Sequence, residues 1–274
     1  YEQSYQTNAH YRKTPDGLKC NVRFEDMHHV TLPKLGRIRI GASPKLLKAL
    51  RERTCDTRIG PICIRRDSVG EYWASFSIAS EEPFYEALSK TRKMHGIDLN
   101  LLELVNTSDG SASENRRYRR QVQKELSKSQ RKQSRKAEHA KKDSRSLRTS
   151  VRYQEQRRKT AYIHRKVERR RTDYLHVLSK REVENQDFIA AEDLKVRNMM
   201  LQYKAALYGK TVILVPPKNT TQTCSNCGYV MQGDEHLTLK DRSWVCPQCK
   251  TLHERDTNAA INILNRGLRI AHAV

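Results

Sequence analysis

The sequence predicts an α/β protein interrupted by a long basic helical insertion, and three observations predict it. Short apolar runs of strand length, "GIDL" (96–99), "FIAA" (188–191) and "TVILV" (211–215), are separated by helix-forming segments. Residues 111–180 carry 24 Lys and Arg against 7 acids, so 17 of the 22 net positive charges lie in a stretch without Gly or Pro. Near the C-terminus four cysteines stand in two tight pairs, the mark of a metal-held module inserted before the last helix.

In chain order, residues 1–94 read as a β-rich domain. "GRIRI" (36–40) alternates, with Ile38 and Ile40 on one face. "CIRRDSVGEYWASFSI" (63–78) predicts a hairpin turning at Asp67–Gly70, with Tyr72, Ala74, Phe76 and Ile78 on one side. "MHGIDLNLLELVNTSDG" (94–110) predicts a second hairpin whose first strand is interrupted by Asp98. Residues 111–180 predict two antiparallel helices joined by the polar stretch 139–150. Tyr118, Val122 and Leu126 form one apolar stripe, and Ile163, Val167, Tyr174 and Leu178 the other. Residues 181–220 supply a buried strand ending in Glu192 and Asp193, a helix over "LQYKAALYGK" (201–210) stopped by Gly209, and a strand stopped by two prolines. A metal-binding segment (221–253) and an amphipathic helix (254–274) complete the chain.

An excess of 22 positive charges calls for a polyanionic partner, and nucleic acid is the first candidate. The helical insertion is its expected surface. Arg116, Arg117, Arg119, Arg120 and Lys124 lead into the first helix, Arg131 and Lys132 follow, and Arg165, Arg169 and Arg170 lie on the second. The aliphatic run "VILV" (212–215) is far too short to span a bilayer, so no membrane partner is expected. Seven cysteines, an odd number, suit a reduced compartment with a metal site better than a disulfide framework. Cys20, Cys55 and Cys63 read as small buried hydrophobes. A cytoplasmic, nucleoid-associated prokaryotic protein is the corresponding expectation. Because Tyr1 opens the chain in mid-pattern, a fragment of a longer protein is expected.

Cys224, Cys227, Cys246 and Cys249 form a C-x2-C-x18-C-x2-C array. Each short spacing lets one turn aim two thiolates at one ion. Four thiolates close a tetrahedral Zn²⁺ shell with no open position, which makes a structural site. Trp244 and Leu237 are expected beneath the knuckles, too little core to hold the module without metal. With the shell filled, His253 reads as an outer contact to the ligands or a contact to nucleic acid.

Three acids stand out by context: Asp98 inside a strand, Glu192 at a strand end, and Asp256 at a helix start. Singly, each has a bland reading. Asp98 could pair with an arginine, Glu192 could face solvent, and Asp256 could be an N-cap. Together they could converge on two Mg²⁺ ions roughly 3.5–4 Å apart, the arrangement that phosphodiester cleavage uses.

"GIDL", "IAAEDL" and "HERDTNAAINIL", in that order around the ribbon segment "TTQTCSNCG", resemble the TnpB family of transposon-encoded RNA-guided DNA endonucleases, which is related to the miniature type V CRISPR effectors. "LQYKAALYGK" and "LPKLGRIRI" match as well, so the likeness covers nearly the whole chain. The resemblance implies a RuvC nuclease core of the RNase H type with an inserted four-cysteine zinc ribbon and an N-terminal wedge-like domain. It implies that Asp98, Glu192 and Asp256 are catalytic ligands of Mg²⁺, with Mn²⁺ as a substitute, and that guide RNA and target DNA are the partners. A CRISPR effector with the same chemistry and a guided binding protein that does not cut are the alternatives. The family's first wedge half and helical recognition domain have no counterpart here, the segment between "EDL" and "LQYKAALYG" is short, and Asn100 stands where Gly is usual.

Overall fold

A computed structural model of the chain describes residues 4–15, 17–26, 28–41, 47, 57–81, 86–100, 102–193, 199–238 and 240–273. They form two compact units, Tyr1–Phe84 with Gln123–Lys166, and Tyr85–Val122 with Val167–Val274.

The first unit opens with short antiparallel strands. β1 (Ser4–Asn8) pairs with β7 (Thr57–Arg66), which pairs with β8 (Tyr72–Ser80). β2 (Tyr11–Thr14) pairs with β3 (Gly17–Cys20), and β4 (Arg23–Phe24), β5 (His29–Leu32) and β6 (Gly36–Arg39) form a third sheet. Val22, Val30, Leu32 and Ile62 are its buried core, with Ile38, Ile40 and Phe76 packed against them, as the alternation requires. The β7–β8 turn falls at the expected residues because the Asp67 carboxylate accepts the backbone N–H of Val69 and Glu71, while Gly70 takes φ +94°. Of the side that carries Tyr72, Ala74, Phe76 and Ile78, Phe76 and Ile78 are half-buried while Tyr72, beside the turn, is exposed. Cys20 and Cys63 are only half-buried, and Cys55 lies outside the described residues.

The insertion forms α1 (Gln123–Lys142) and α2 (Val151–Asn185). The connection is shorter than expected, since helix-forming residues carry α1 through Lys142. Within the first unit the helices meet through a polar seam, and Leu126 and Ile163 are buried. Ser129 and Thr160 hydroxyls lie 2.9 Å apart, and Gln156 Nε2 donates to Ser129 Oγ at 2.9 Å.

The second unit is built on a five-stranded sheet in the order β11 (Ala112–Glu114), β10 (Glu103–Thr107), β9 (Met94–Asp98), β12 (Phe188–Glu192), β13 (Thr211–Val215). β9 to β11 form an antiparallel meander, and β12 runs parallel to both β9 and β13. Residues 112–114, expected in the helical insertion, are thus the edge strand, paired through β10. Alternation along β9 and β12 sends Ile97, Ile189 and Ala191 to one face, with Leu178 and Val183 of α2 and with Leu201 and Ala205 of α3 (Met199–Tyr208). Gly96 and Ala190 point to the other face, against α4 (Arg255–His272). A Cβ built on Gly96 would stand 1.9 Å from Ala260 O, and one on Gly267 would stand 2.5 Å from Ala190 Cβ. Glycine at both points lets α4 lie directly on the sheet. Strand entry is secured by Asp187, which accepts N–H from Thr91 and Arg92 and pairs with the buried Lys210 ammonium at 2.5 Å.

Candidate active site

Asp98 ends β9 and Glu192 ends β12. These strands are parallel with Ile97 level with Ala191, so the two acids leave neighbouring strands at one height. Each is two residues beyond a position facing α4, Gly96 and Ala190, so strand alternation turns both carboxylates to the α4 side. Asp256 is the second residue of α4. The three acids named from sequence therefore converge. Asp98 and Glu192 are buried, with 6 % and 8 % exposure. Burial, and then the negative charges of Glu192 and Asp256, push the Asp98 carboxyl up to about 7.

Each of the other two acids is held by a neutral donor. Glu192 Oε1 accepts a hydrogen bond from Thr220 Oγ1 at 2.6 Å, and Asp256 Oδ2 accepts one from Asn100 Nδ2 at 3.0 Å. Asn100 Oδ1 in turn accepts N–H from Leu102 and Glu103, at 2.9 Å each, and so shapes the turn into β10. Arg255 Nε lies 3.4 Å from Asp256 Oδ1. The capping reading of Asp256 is corrected: the cap position is Glu254, with no side-chain capping bond. The Asp256 carboxylate faces the β9–β10 turn instead.

Cys224, Cys227, Cys246 and Cys249 bring their sulfurs within 4.8 Å of one another, with Cys224–Cys249 and Cys227–Cys246 at 3.6 Å. Tetrahedral bonds of about 2.3 Å would set sulfurs about 3.8 Å apart, so the donor set fits one Zn²⁺. Met231 and Trp244 are buried under the knuckles, with Leu237 packed against them. His253 Nε2 lies 3.1 Å from Cys224 Sγ, and its ring rests on Trp244, which places it outside the thiolate shell. β14 (Ser243–Val245) pairs with β15 (Leu252–Glu254), and β15 leads directly into α4. Among the described residues no other group of three or more possible ligands closes to that spacing, the three acids included.

Of the basic residues expected to meet nucleic acid, Arg116, Arg117, Arg119, Arg120, Lys124, Arg131, Lys132, Arg169 and Arg170 are exposed. Arg165 has a different task. Its guanidinium, 14 % exposed, reaches Asp67 at 3.1 Å and Glu71 at 2.7 Å, binding α2 to the β7–β8 turn inside the first unit. Arg116 covers the Tyr174 ring at 4.5 Å, and Tyr118 meets that ring edge-on. No helix among the described residues is long and apolar enough to cross a membrane.

Two family models match the chain, and together they run without a break over most of it. Residues 75–202 match a "Probable transposase" model, OrfB of IS605, and residues 198–263 match a "Cas12f1-like, TNB domain" model. Over these segments the chain is similar to the TnpB family. The chain is 32% identical over 228 residues to a Streptomyces pristinaespiralis protein named "Putative RNA-guided DNA endonuclease", covering 76% of this chain and 52% of the relative. InsQ of Escherichia coli (strain K12), which bears the same name, is 26% identical over 295 residues, covering 95% of this chain and 65% of InsQ. The chain thus spans about half to two thirds of the length of these curated relatives. In fold it is similar to a chain from a cryo-EM Cas12f1–sgRNA–target DNA complex, with a TM-score of 0.55 at 16% identity over 82% of this chain and 48% of that one.

Sequence reasoning did not assign Thr220, Asn258 or Asn262, and it treated Asn100 only as a departure from the TnpB pattern. One signal was available for two of them: Asn258 and Asn262 stand four apart on the apolar face of "NAAINIL" (258–264), where a polar side chain needs a partner.

Proposed function

We propose that this chain is the nuclease-bearing part of an RNA-guided DNA endonuclease of the TnpB type, with a RuvC core of the RNase H kind. The observation that carries the reading is the convergence of Asp98, Glu192 and Asp256 on the α4 side of the sheet, with the Asp98 carboxyl raised by burial and then by its two acidic neighbours. Such a concentration of negative charge is unfavourable alone and suits divalent cations. Asp98, Glu192 and Asp256 would hold Mg²⁺, which when bound supplies an activated water and charge stabilisation at the scissile phosphate. Thr220 and Asn100 orient the Glu192 and Asp256 carboxylates, and the sheet beneath excludes water from Asp98. The exposed arginines of the insertion supply the charge for a guide RNA and its paired DNA strand, and the four cysteines hold a structural Zn²⁺.

The test is cleavage of a matching DNA target by the full-length protein loaded with its own RNA, in Mg²⁺. Asp98→Asn and Asp256→Asn should each abolish cutting while RNA binding and folding persist. Because Asp256 is not the helix cap, loss of activity in its Asn variant reports on the carboxylate itself. Equal cutting by Asp98→Asn would sink the assignment. Guided binding without cutting by the wild-type protein would support the non-cleaving alternative.

A further inference from the structure

One stripe of α4, Asn258, Asn262 and Arg266, grips the segment running from the end of β13 to the first cysteine knuckle. Asn258 Oδ1 accepts the N–H of Ser225, inside the knuckle, at 2.9 Å, and its Nδ2 donates to Thr223 O at 2.8 Å. Asn262 uses both amide hydrogens, to Thr220 O at 2.9 Å and Thr223 O at 2.6 Å. Arg266 Nη1 donates to Lys218 O at 2.5 Å. Asn258 and Asn262 are 1 % and 6 % exposed, so a lost partner would leave a buried polar group unsatisfied. Thr220, 2 % exposed, has one hydroxyl hydrogen. Glu192 Oε1 at 2.6 Å is a nearer acceptor than Pro217 O at 3.2 Å.

We infer that Thr220, Asn258 and Asn262 are positioning residues that couple the zinc knuckle to the carboxylate site, so that an intact ribbon sets that site's affinity for divalent cations. The path is continuous. The knuckle fixes Ser225, Asn258 and Asn262 fix Thr223 and Thr220 against α4, and Thr220 aims the Glu192 carboxylate. The helix that carries both asparagines also carries Asp256, so one set of bonds locates two of the three acids. Hydrogen bonds of this kind to ligating carboxylates strengthen metal binding by about 10- to 100-fold. The inference rests on the reading of the three acids as a cation site.

The experiment measures Mn²⁺ binding by calorimetry and electron paramagnetic resonance on the full-length protein, with zinc release to a chromogenic chelator as a second readout and circular dichroism as the folding control. Thr220→Val should weaken Mn²⁺ about tenfold with zinc retention unchanged, and Thr220→Ser, which restores the hydroxyl, should recover it. Asn262→Ala should both speed zinc loss and weaken Mn²⁺. Wild-type Mn²⁺ affinity in folded Thr220→Val or Asn262→Ala, or failure of Thr220→Ser to recover it, overturns the coupling and leaves the cation site standing. Mn²⁺ binding that is unaffected by Asp98→Asn overturns the cation-site reading, and the coupling with it.

Discussion

Gly96 shows how one missing side chain positions the site. Its backbone is not in the left-handed region, so what matters is the space a Cβ would need, and the obstacle is the backbone of α4 at Ala260 and Leu264. Gly96→Ala should destabilise the second unit by about 3 kcal/mol, the upper end of ordinary overpacking, measured as a lowered denaturant midpoint. The less enclosed Gly110, whose Cβ would meet nothing within 4 Å but whose φ is +83°, should show only a backbone penalty of about 1 kcal/mol on change to Ala. Asn100 illustrates the converse. Its side-chain oxygen accepts in the turn into β10 and its amide donates to Asp256.

The helical insertion is basic throughout, yet its arginines divide by what they touch. Arg165 is occupied by Asp67 and Glu71, whereas Arg170 is exposed further along the same helix. Neutralising Arg131 and Lys132 together should flatten the slope of log affinity for single-stranded RNA against log salt by about 1.4, at about 0.7 per lost phosphate contact. Arg165→Gln should leave that slope unchanged and lower the melting temperature of the protein, because it strips two carboxylates of their partner. A filter-binding titration alongside thermal melts separates the two roles.

Across the chain, stability should fail on the acid side. Partial burial would raise the Asp67 carboxyl, but N–H groups of Glu71 and Val69, the Trp73 indole and Arg165 outweigh it and hold the carboxyl at about 2. The Thr107 hydroxyl, followed by Ser111, holds Asp109 at about 2, and Lys210 depresses Asp187 further. These groups are lowered below their unfolded values near 4, so their contribution is complete above about pH 4 and is lost as the pH falls toward 2. Both units should unfold in that window, followed by Trp73 and Trp244 fluorescence, and salt should delay the loss by screening the growing positive charge. Much of this was legible beforehand. Apolar runs and turn residues marked β7 to β10, β12 and β13, and the cysteine spacing marked the ribbon, because those features are local and have fixed periods. The three acids could be named as candidates for the same reason, each standing where a charge is out of place. Their convergence was not local. It depends on the parallel register of β9 with β12 and on glycines that let α4 lie on the sheet, both settled by packing between distant segments. The same holds for Asp256, which the sequence presents as a helix-start acid and which only the β9–β10 turn draws away from capping. It holds for Arg165 as well, since among the many arginines of the insertion tertiary contact alone draws it to Asp67 and Glu71. The sequence by itself determined the chain's elements, its charge and its ligand types. The tertiary structure decided which side chains face one another, because pairing across long separations depends on the shape and register of surfaces that a linear pattern does not contain.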